Sequence, residues 1–299
     1  MNKPRYSILI IAAFFAIYFI WGSTYLLNKI LVGEVSPLYL GSIRFISAGT
    51  LIFIISKILK YDLAISKRQL INSVIAGFLF LTYGNGVFVW ALKYVDSGFA
   101  ALLASTQPVF VLILMRLIYK QEILPKAIIG VVMGILGMIL LVNQQGMELR
   151  ENSLIGILMI LTCILSWSYA SVFVAKHEMP VNYFVSTGYQ MISGGILLLL
   201  ASLILDENWL PPNLWSSASQ MSMILLIIFG SIVAFTSFNY LLKVVSTEKV
   251  ATSAYVNPVI ALILGWYVLD EKLTGQSILA ALILLTGVYF INRTKRLFK

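Results

Sequence analysis

The sequence predicts an all-α integral membrane protein of ten transmembrane helices, arranged as two inverted five-helix repeats. Three observations carry this. The chain is 60% hydrophobic and 11% charged, with a mean hydropathy of +0.94, whereas a soluble domain carries roughly 25% charged residues. Too little polar surface remains to coat a globule in water, so lipid is the main solvent. Apolar runs of about 20 residues, enough to cross a hydrocarbon core, fall at 8–32, 37–59, 70–92, 97–119, 125–143, 153–176, 181–205, 218–243, 249–269 and 274–293. Finally, the stretch from Trp90 to Pro108 (W-A-L-K-Y-V-D-S-G-F-A-A-L-L-A-S-T-Q-P) returns about 150 residues later as Tyr240 to Pro258 (Y-L-L-K-V-V-S-T-E-K-V-A-T-S-A-Y-V-N-P), a recurrence that marks duplication. Lys93 matches Lys243, Val95 matches Val245, and Ala101, Ala104 and Pro108 match Ala251, Ala254 and Pro258.

Ten helices and one duplication give five helices per unit, residues 1–147 and 148–299. An odd number flips the second copy across the membrane, so the halves are expected to be related by a two-fold axis in the membrane plane. That arrangement places a solute site near the midplane between the repeats.

Taken in order, the first helix follows Lys3 and Arg5. Its apolar run outlasts a signal-peptide core and lacks a small-residue cleavage site, so it reads as a retained span. The second opens after the Gly33–Pro37 turn and carries Arg44. Only Lys93 to Ser97 separates the third from the fourth, and Pro125 opens the fifth. Pro180 precedes the seventh. The seventh-to-eighth connection, Asp206 to Ser217, is the longest, with Pro211, Pro212 and two tryptophans, Trp209 and Trp215, suited to a membrane interface.

Orientation follows from lysine and arginine. With the N-terminus inside, the inner segments hold Lys3, Arg5, Lys57, Lys60, Lys67, Arg68, Arg116, Lys120, Lys126, Lys176, Lys243, Lys249, Arg293, Lys295, Arg296 and Lys299, and the outer ones only Lys29, Lys93, Arg150 and Lys272. Both termini are therefore expected in the cytoplasm.

Several classes are excluded. Cys163 and His177 are single, so there is no disulfide framework, CxxC site or Cys/His metal cluster, and no metal or cofactor is expected. The net charge of +9 is scattered between apolar runs, with no basic tail longer than Arg293 to Lys299, which argues against nucleic acid. No nucleophile–base pair, phosphate loop or paired carboxylates appear, so the chain does not read as an enzyme. The expected partners are the lipid bilayer and a small-molecule solute; no obligate protein partner is evident. All twelve acids fall at or near loops, and His177 sits between Lys176 and Glu178. With no mid-span carboxylate or histidine to carry a proton, facilitated diffusion or solute exchange fits better than proton antiport. Glu122 and Glu271 occupy corresponding turns, where capping the next helix is the simplest role.

Candidate site residues follow from what is costly in lipid. Pro108 and Pro258 each lie about ten residues into a helix, roughly 15 Å from its start. Each removes a backbone donor and frees a carbonyl, of Ala104 and Ala254, that must face protein or a wet cavity. Matched broken helices point to a transport site; a plain structural kink is the alternative. Arg44 is the sole basic residue well inside a span, where exposure costs about 2.5–3.5 kcal/mol. It is suited to bind a carboxylate or phosphate, or else to brace a helix end. Its counterpart is Gln190, in Y-Q-M-I-S-G-G against I-R-F-I-S-A-G. A cavity with one cation and no acid suits anionic or zwitterionic solutes. Trp21 and Tyr25 of the first helix are echoed by Trp167 and Tyr169. Tyr83, Asn85, Trp90, Gln107, Asn239, Tyr255 and Asn257 add aromatic and carboxamide groups at depth. As a set they are expected to line a substrate cavity; singly, each could be a helix contact.

The run W-G-S-T-Y-L-L-N-K from Trp21, P-L-Y-L-G-S-I-R-F from Pro37, the mid-helix Pro108 and Pro258, and the turns with Glu122 and Glu271 together resemble the drug/metabolite transporter (DMT) superfamily, in its EamA-domain family. The resemblance covers nearly the whole chain as two tandem EamA repeats. It implies a bacterial inner (plasma) membrane location, cytoplasmic termini, a cavity formed by the first four helices of each half, and peripheral fifth and tenth helices. It also implies efflux of amino acids or related metabolites, and in some members a link to drugs. By position it makes Trp21, Arg44, Trp90 and Pro108, with Trp167, Gln190 and Pro258, the cavity or helix-break positions. Trp167-Ser168 departs from the Trp-Gly of the first copy, which puts close packing there in question. Related branches carry nucleotide sugars or sugar phosphates, an alternative weakened by the lack of several mid-span cations. A membrane-embedded enzyme acting on lipid, or a scaffold, is the alternative from a different class.

Overall fold

Sequence-local signals start most of the helices. The computed structural model describes residues 3–95, 100, 103–143, 153–269 and 274–292. Helix α1 spans 3–32, as Lys3–Phe15, a π-helical segment Ala16–Ile20 and Trp21–Val32. Helix α2 is Pro37–Ile58, opened by a proline whose missing N–H is no loss in the first turn. Helix α3, Lys67–Ala91, starts at a capping box between Ser66 and Gln69. Helix α4 is Gln107–Tyr119, α5 Pro125–Asn143 and α6 Ser153–Lys176. Helix α7, Tyr183–Ile204, is capped by Asn182. Helix α8, Ser217–Val244, is capped by Ser216. Helix α9 runs as Thr247–Ala251 and Ser253–Leu269, and α10 is Gly275–Asn292. Among the described residues there is no strand.

Among the described residues five helices are long and apolar enough to cross a membrane: Pro37–Ile58, Lys67–Ala91, Leu154–Lys176, Tyr183–Ile204 and Ser217–Val244. Shorter apolar helices cover Ile8–Thr24, Gln107–Tyr119, Pro125–Leu140 and Gly275–Ile291. Large apolar side chains such as Leu117, Leu136, Leu158 and Leu282 point outward. That is the surface of an integral membrane protein, in which lipid takes the place of water.

Helices α2 and α7 form the central crossing. Gly49 abuts Ile192, and Gly195 abuts Ile46: a Cβ on either glycine would stand only 2.9 and 2.8 Å from the isoleucine. Gly41 faces Leu198 and Gly188 faces Phe53, so the contact falls back along α7 as it advances along α2, and the two helices run antiparallel. Both end alike. Lys60 and Asp206 take left-handed φ values of 57° and 50°. The next N–H groups, of Tyr61 and Glu207, reach back to Ser56 and Ser202, a Schellman closure. Helices α5 and α10 pair the same way, Gly130 facing Ile291 and Gly137 facing Leu284.

Pro258 does not break α9. It lies inside Ser253–Leu269, and the interruption comes earlier, at Thr252. There the hydroxyl bonds the Lys249 carbonyl at 2.6 Å and the Tyr18 hydroxyl at 2.7 Å, competing with the helical ladder. Pro108 is the second residue of α4, after a turn at Ser105–Thr106. Much of the irregular backbone is π-helical instead: Ala16–Ile20 in α1, Phe78–Val87 in α3 and Leu226–Val233 in α8.

Candidate functional site

A π-helical segment leaves carbonyls without their usual i→i−4 partners, and in lipid these must be bonded within the protein. Here the other half of the chain supplies the donors. Ser166 of α6 donates to the Leu79 carbonyl of α3 at 2.8 Å. Trp21 of α1 donates its indole N–H to the Gly230 carbonyl of α8 at 3.1 Å. The Asn257 amide of α9, oriented to satisfy its surroundings, donates to the Ile17 and Tyr18 carbonyls of α1 at 3.1 Å each. All four bonds cross between the two halves of the sequence.

Five rings occupy the junction. Trp21 and Trp167 meet edge to face, with centroids 5.9 Å apart. Trp21 lies 5.1 Å from Phe238, and Trp167 lies 5.0 Å from Phe80. Phe235 completes the group beside Trp167 and Phe80. The tryptophans are half-buried and the phenylalanines fully buried, so the indoles form the accessible part of the cluster.

Arg44 stands against this junction. It is 5% exposed. Its Nε donates to Ser231 Oγ of α8 at 2.8 Å, and its guanidinium carbon lies 5.0 Å from the Phe45 ring centroid. One terminal nitrogen sits beside Gly230, the residue whose carbonyl Trp21 holds. Among the described residues Arg44 has no carboxylate partner, whereas Arg68, at the start of α3, pairs with Glu178. A buried guanidinium using one of its five donors on a hydroxyl retains the capacity for a bidentate anion.

Gln190, its counterpart on α7, is fully buried. Its Nε2 donates to Ser186 Oγ at 3.1 Å and to Asn239 Oδ1 at 3.2 Å. Asn239 in turn donates to Thr187 Oγ1 and to the Phe235 carbonyl, each at 3.2 Å. The acceptor oxygens Gln190 Oε1 and Asn28 Oδ1 are buried without a hydrogen-bond partner.

The remaining expected residues divide. Trp90 packs on the edge of the central core, and Asn85 is half-buried on the same helix. Tyr83 turns to α6, where its hydroxyl donates to Thr162 at 3.1 Å. The Gln107 carbonyl accepts from Ser168 at 3.5 Å. Tyr169 is 39% exposed and packs on Phe173, away from the indole pair. Tyr255 is not at the junction: it is wholly buried against α5 and α10, with its ring pressed onto Gly134. The side chain of Tyr25, and Glu271, lie outside the described residues. Serine and threonine partners such as Ser231, Ser186, Thr187 and Ser166 were not singled out from the sequence, since hydroxyls are common in membrane helices and only contact reveals their role.

An apolar helical bundle whose buried cation and carboxamides collect where its halves meet is an integral membrane transporter in form. The chain belongs to the EamA-like transporter family, whose sequence profile matches it twice, over residues 8–143 and 154–293. It is 33% identical over 287 residues to a protein of Escherichia coli K12 described as an uncharacterized inner membrane transporter, YedA, covering 96% of this chain and 91% of that one. It is 24% identical over 270 residues to the uncharacterized transporter YoaV of Bacillus subtilis 168, covering 90% and 92%. A solved crystal structure shares the fold, with a TM-score of 0.79, 19% identity and coverage of 95% of this chain and 96% of that one.

Proposed function

We propose that the protein carries a small amphipathic metabolite across the membrane by alternating access, with Arg44 as the group that holds the solute's anionic end. Amino acids and close relatives are the solute class that fits. A carboxylate suits the spare donors of Arg44, an ammonium suits orphaned amide oxygens such as Gln190 Oε1 and Asn28 Oδ1, and an apolar side chain suits the indole faces of Trp21 and Trp167. The observation that carries this reading is a buried cation bonded to a hydroxyl and not to an acid, because such a charge is costly in lipid unless function retains it.

The pairings support two inverted five-helix repeats, residues 1–147 and 148–299. Equivalent positions meet each other across α2 and α7, as Gly49 with Ile192 does Ile46 with Gly195. With no acid or histidine in mid-span, flux down the solute gradient, or exchange, is the energetic mode; Glu248, though buried, stands at the start of α9. The lysine and arginine count supports a reading with both termini in the cytoplasm.

Counterflow in proteoliposomes tests this. Labelled amino acids should accumulate against unlabelled ones, and Arg44→Ala should weaken flux of carboxylate-bearing solutes at least tenfold more than flux of neutral amides. An equal loss for both removes the recognition role of Arg44. Flux strictly dependent on an imposed proton gradient removes the facilitator mode.

A further inference from the structure

The face that carries the α1–α2 turn and the 205–216 connection is closed by two carboxylates that cross between halves. Glu207, just past α7, accepts from the Leu38 and Tyr39 N–H groups at 3.2 and 2.9 Å. These are free donors of the first turn of α2, whose own Ser36 makes no capping bond. Ser202 donates to the same carboxylate at 2.8 Å. The Trp209 indole donates to Ser202 at 2.9 Å and stacks on Tyr39, with planes 7° apart. Glu34, in the α1–α2 turn, returns the contact: it accepts from the Ser216 N–H at 3.2 Å and from its hydroxyl at 3.1 Å, at the start of α8. Ser36 also donates to the Asn208 carbonyl at 2.9 Å. Beneath lies an apolar plug of Leu31, Val35, Leu40, Trp215, Met223 and Leu226.

The opposite face is built differently. There the starts of α3 and α7 are capped by their own loops, through Ser66 and Asn182. Ties between the halves on that face include Asn72 to the Glu178 carbonyl, Tyr189 to the Leu63 carbonyl, and the exposed Arg68–Glu178 pair at 3.7 Å. A carboxylate on a helix N-terminus gains from free N–H groups and from the helix dipole, whereas an exposed ion pair contributes little.

We propose that Glu34 and Glu207 form a reciprocal latch that holds this face shut and must release before the central site can open toward it. The latch rests on the alternating-access reading, and the charge count makes this the outer face. Its unlatching exposes Trp21 and the residues one turn beyond it, Thr24 included.

The test needs no solute. In a Cys163→Ser background, Thr24→Cys is labelled with a membrane-impermeant maleimide, outside on intact cells and inside on inverted vesicles. Glu34→Gln with Glu207→Gln should raise the outside rate at least threefold and lower the inside rate. An unchanged outside rate in double-variant protein that is folded at the labelling temperature overturns the latch, while counterflow that persists leaves the transport reading standing. Should the double variant fail to fold, a cross-linked Ser36→Cys/Asn208→Cys pair serves: outside labelling should stop on cross-linking and return on cleavage. Labelling that continues through the cross-link overturns the proposal.

Discussion

Trp21 and Trp167 meet edge to face, their ring planes 81° apart. They occupy equivalent places in α1 and α6, yet their polar ends differ. The Trp21 N–H is committed to the Gly230 carbonyl, in the π-helical part of α8, whereas the role of Trp167 at the junction is aromatic contact with Phe80, Phe235 and Phe238. A repeat that is symmetric in ring placement is therefore asymmetric in hydrogen bonding.

That asymmetry predicts unequal substitutions. Trp21→Phe strands a carbonyl inside the membrane, a loss of about 1–3 kcal/mol, on top of the lost ring area. Trp167→Phe keeps an edge for the same neighbours and loses mainly area. Thermal unfolding in detergent should show Trp21→Phe the less stable of the two by several degrees. Equal melting temperatures would mean that the Gly230 carbonyl finds another donor.

Gln190 and Asn239 are coupled through one hydrogen bond of 3.2 Å. Asn239→Leu leaves Gln190 with Ser186 alone of its two acceptors and takes from Thr187 Oγ1 the donor that Asn239 supplies, which costs about 1–3 kcal/mol. Gln190→Leu/Asn239→Leu removes both partners, and two apolar groups of similar shape can be nearly neutral. The double variant should melt above the single Asn239→Leu variant. A double variant that melts lower than either single change would show the network to be held by other partners.

What the sequence makes legible is what the bilayer imposes. The ends of α2, α5, α6 and α7 fall within two residues of the apolar runs, because hydrocarbon thickness and turn residues fix both. The equivalence of Arg44 with Gln190, and of Trp21 with Trp167, is also readable, since duplication preserves position. The π-helical segments are not: they arise from how α1, α3 and α8 lie on the opposite half, and no local residue type announces them. Proline marks Pro108 and Pro258 in the sequence, but the break in α9 falls at Thr252, whose hydroxyl bonds both the Lys249 carbonyl and Tyr18 of the other half. Tyr255 likewise reads as a cavity residue from its depth in the apolar run, whereas its ring packs on Gly134.

Gly134 and Tyr255 accordingly belong to packing. A Cβ at position 134 collides with the Tyr255 ring, so Gly134→Ala should destabilise by about 1–3 kcal/mol, the usual cost of overpacking. Gly134→Ala/Tyr255→Leu should recover part of the loss, since contacting residues are not additive. Counterflow per folded molecule should keep its KM in both variants and in Tyr255→Leu. A changed KM with Tyr255→Leu alone would return that side chain to the solute site.

Glu34 gives stability a pH dependence of known sign. Its carboxyl is held below the ordinary value of 4.5 chiefly by a hydrogen bond from Ser219, with the Ser216 hydroxyl and N–H adding and partial desolvation opposing. A folded value below the unfolded one means that the stabilisation is fully present above 4.5 and is lost as pH falls through the folded value. Glu34→Gln lacks that ionisation. The melting temperature of the parent should therefore exceed that of Glu34→Gln near neutrality, and the gap should close as the pH is lowered past the ordinary carboxylate range. A gap that stays constant with pH would show that Glu34 acts through shape alone and that its charge does not matter to the start of α8.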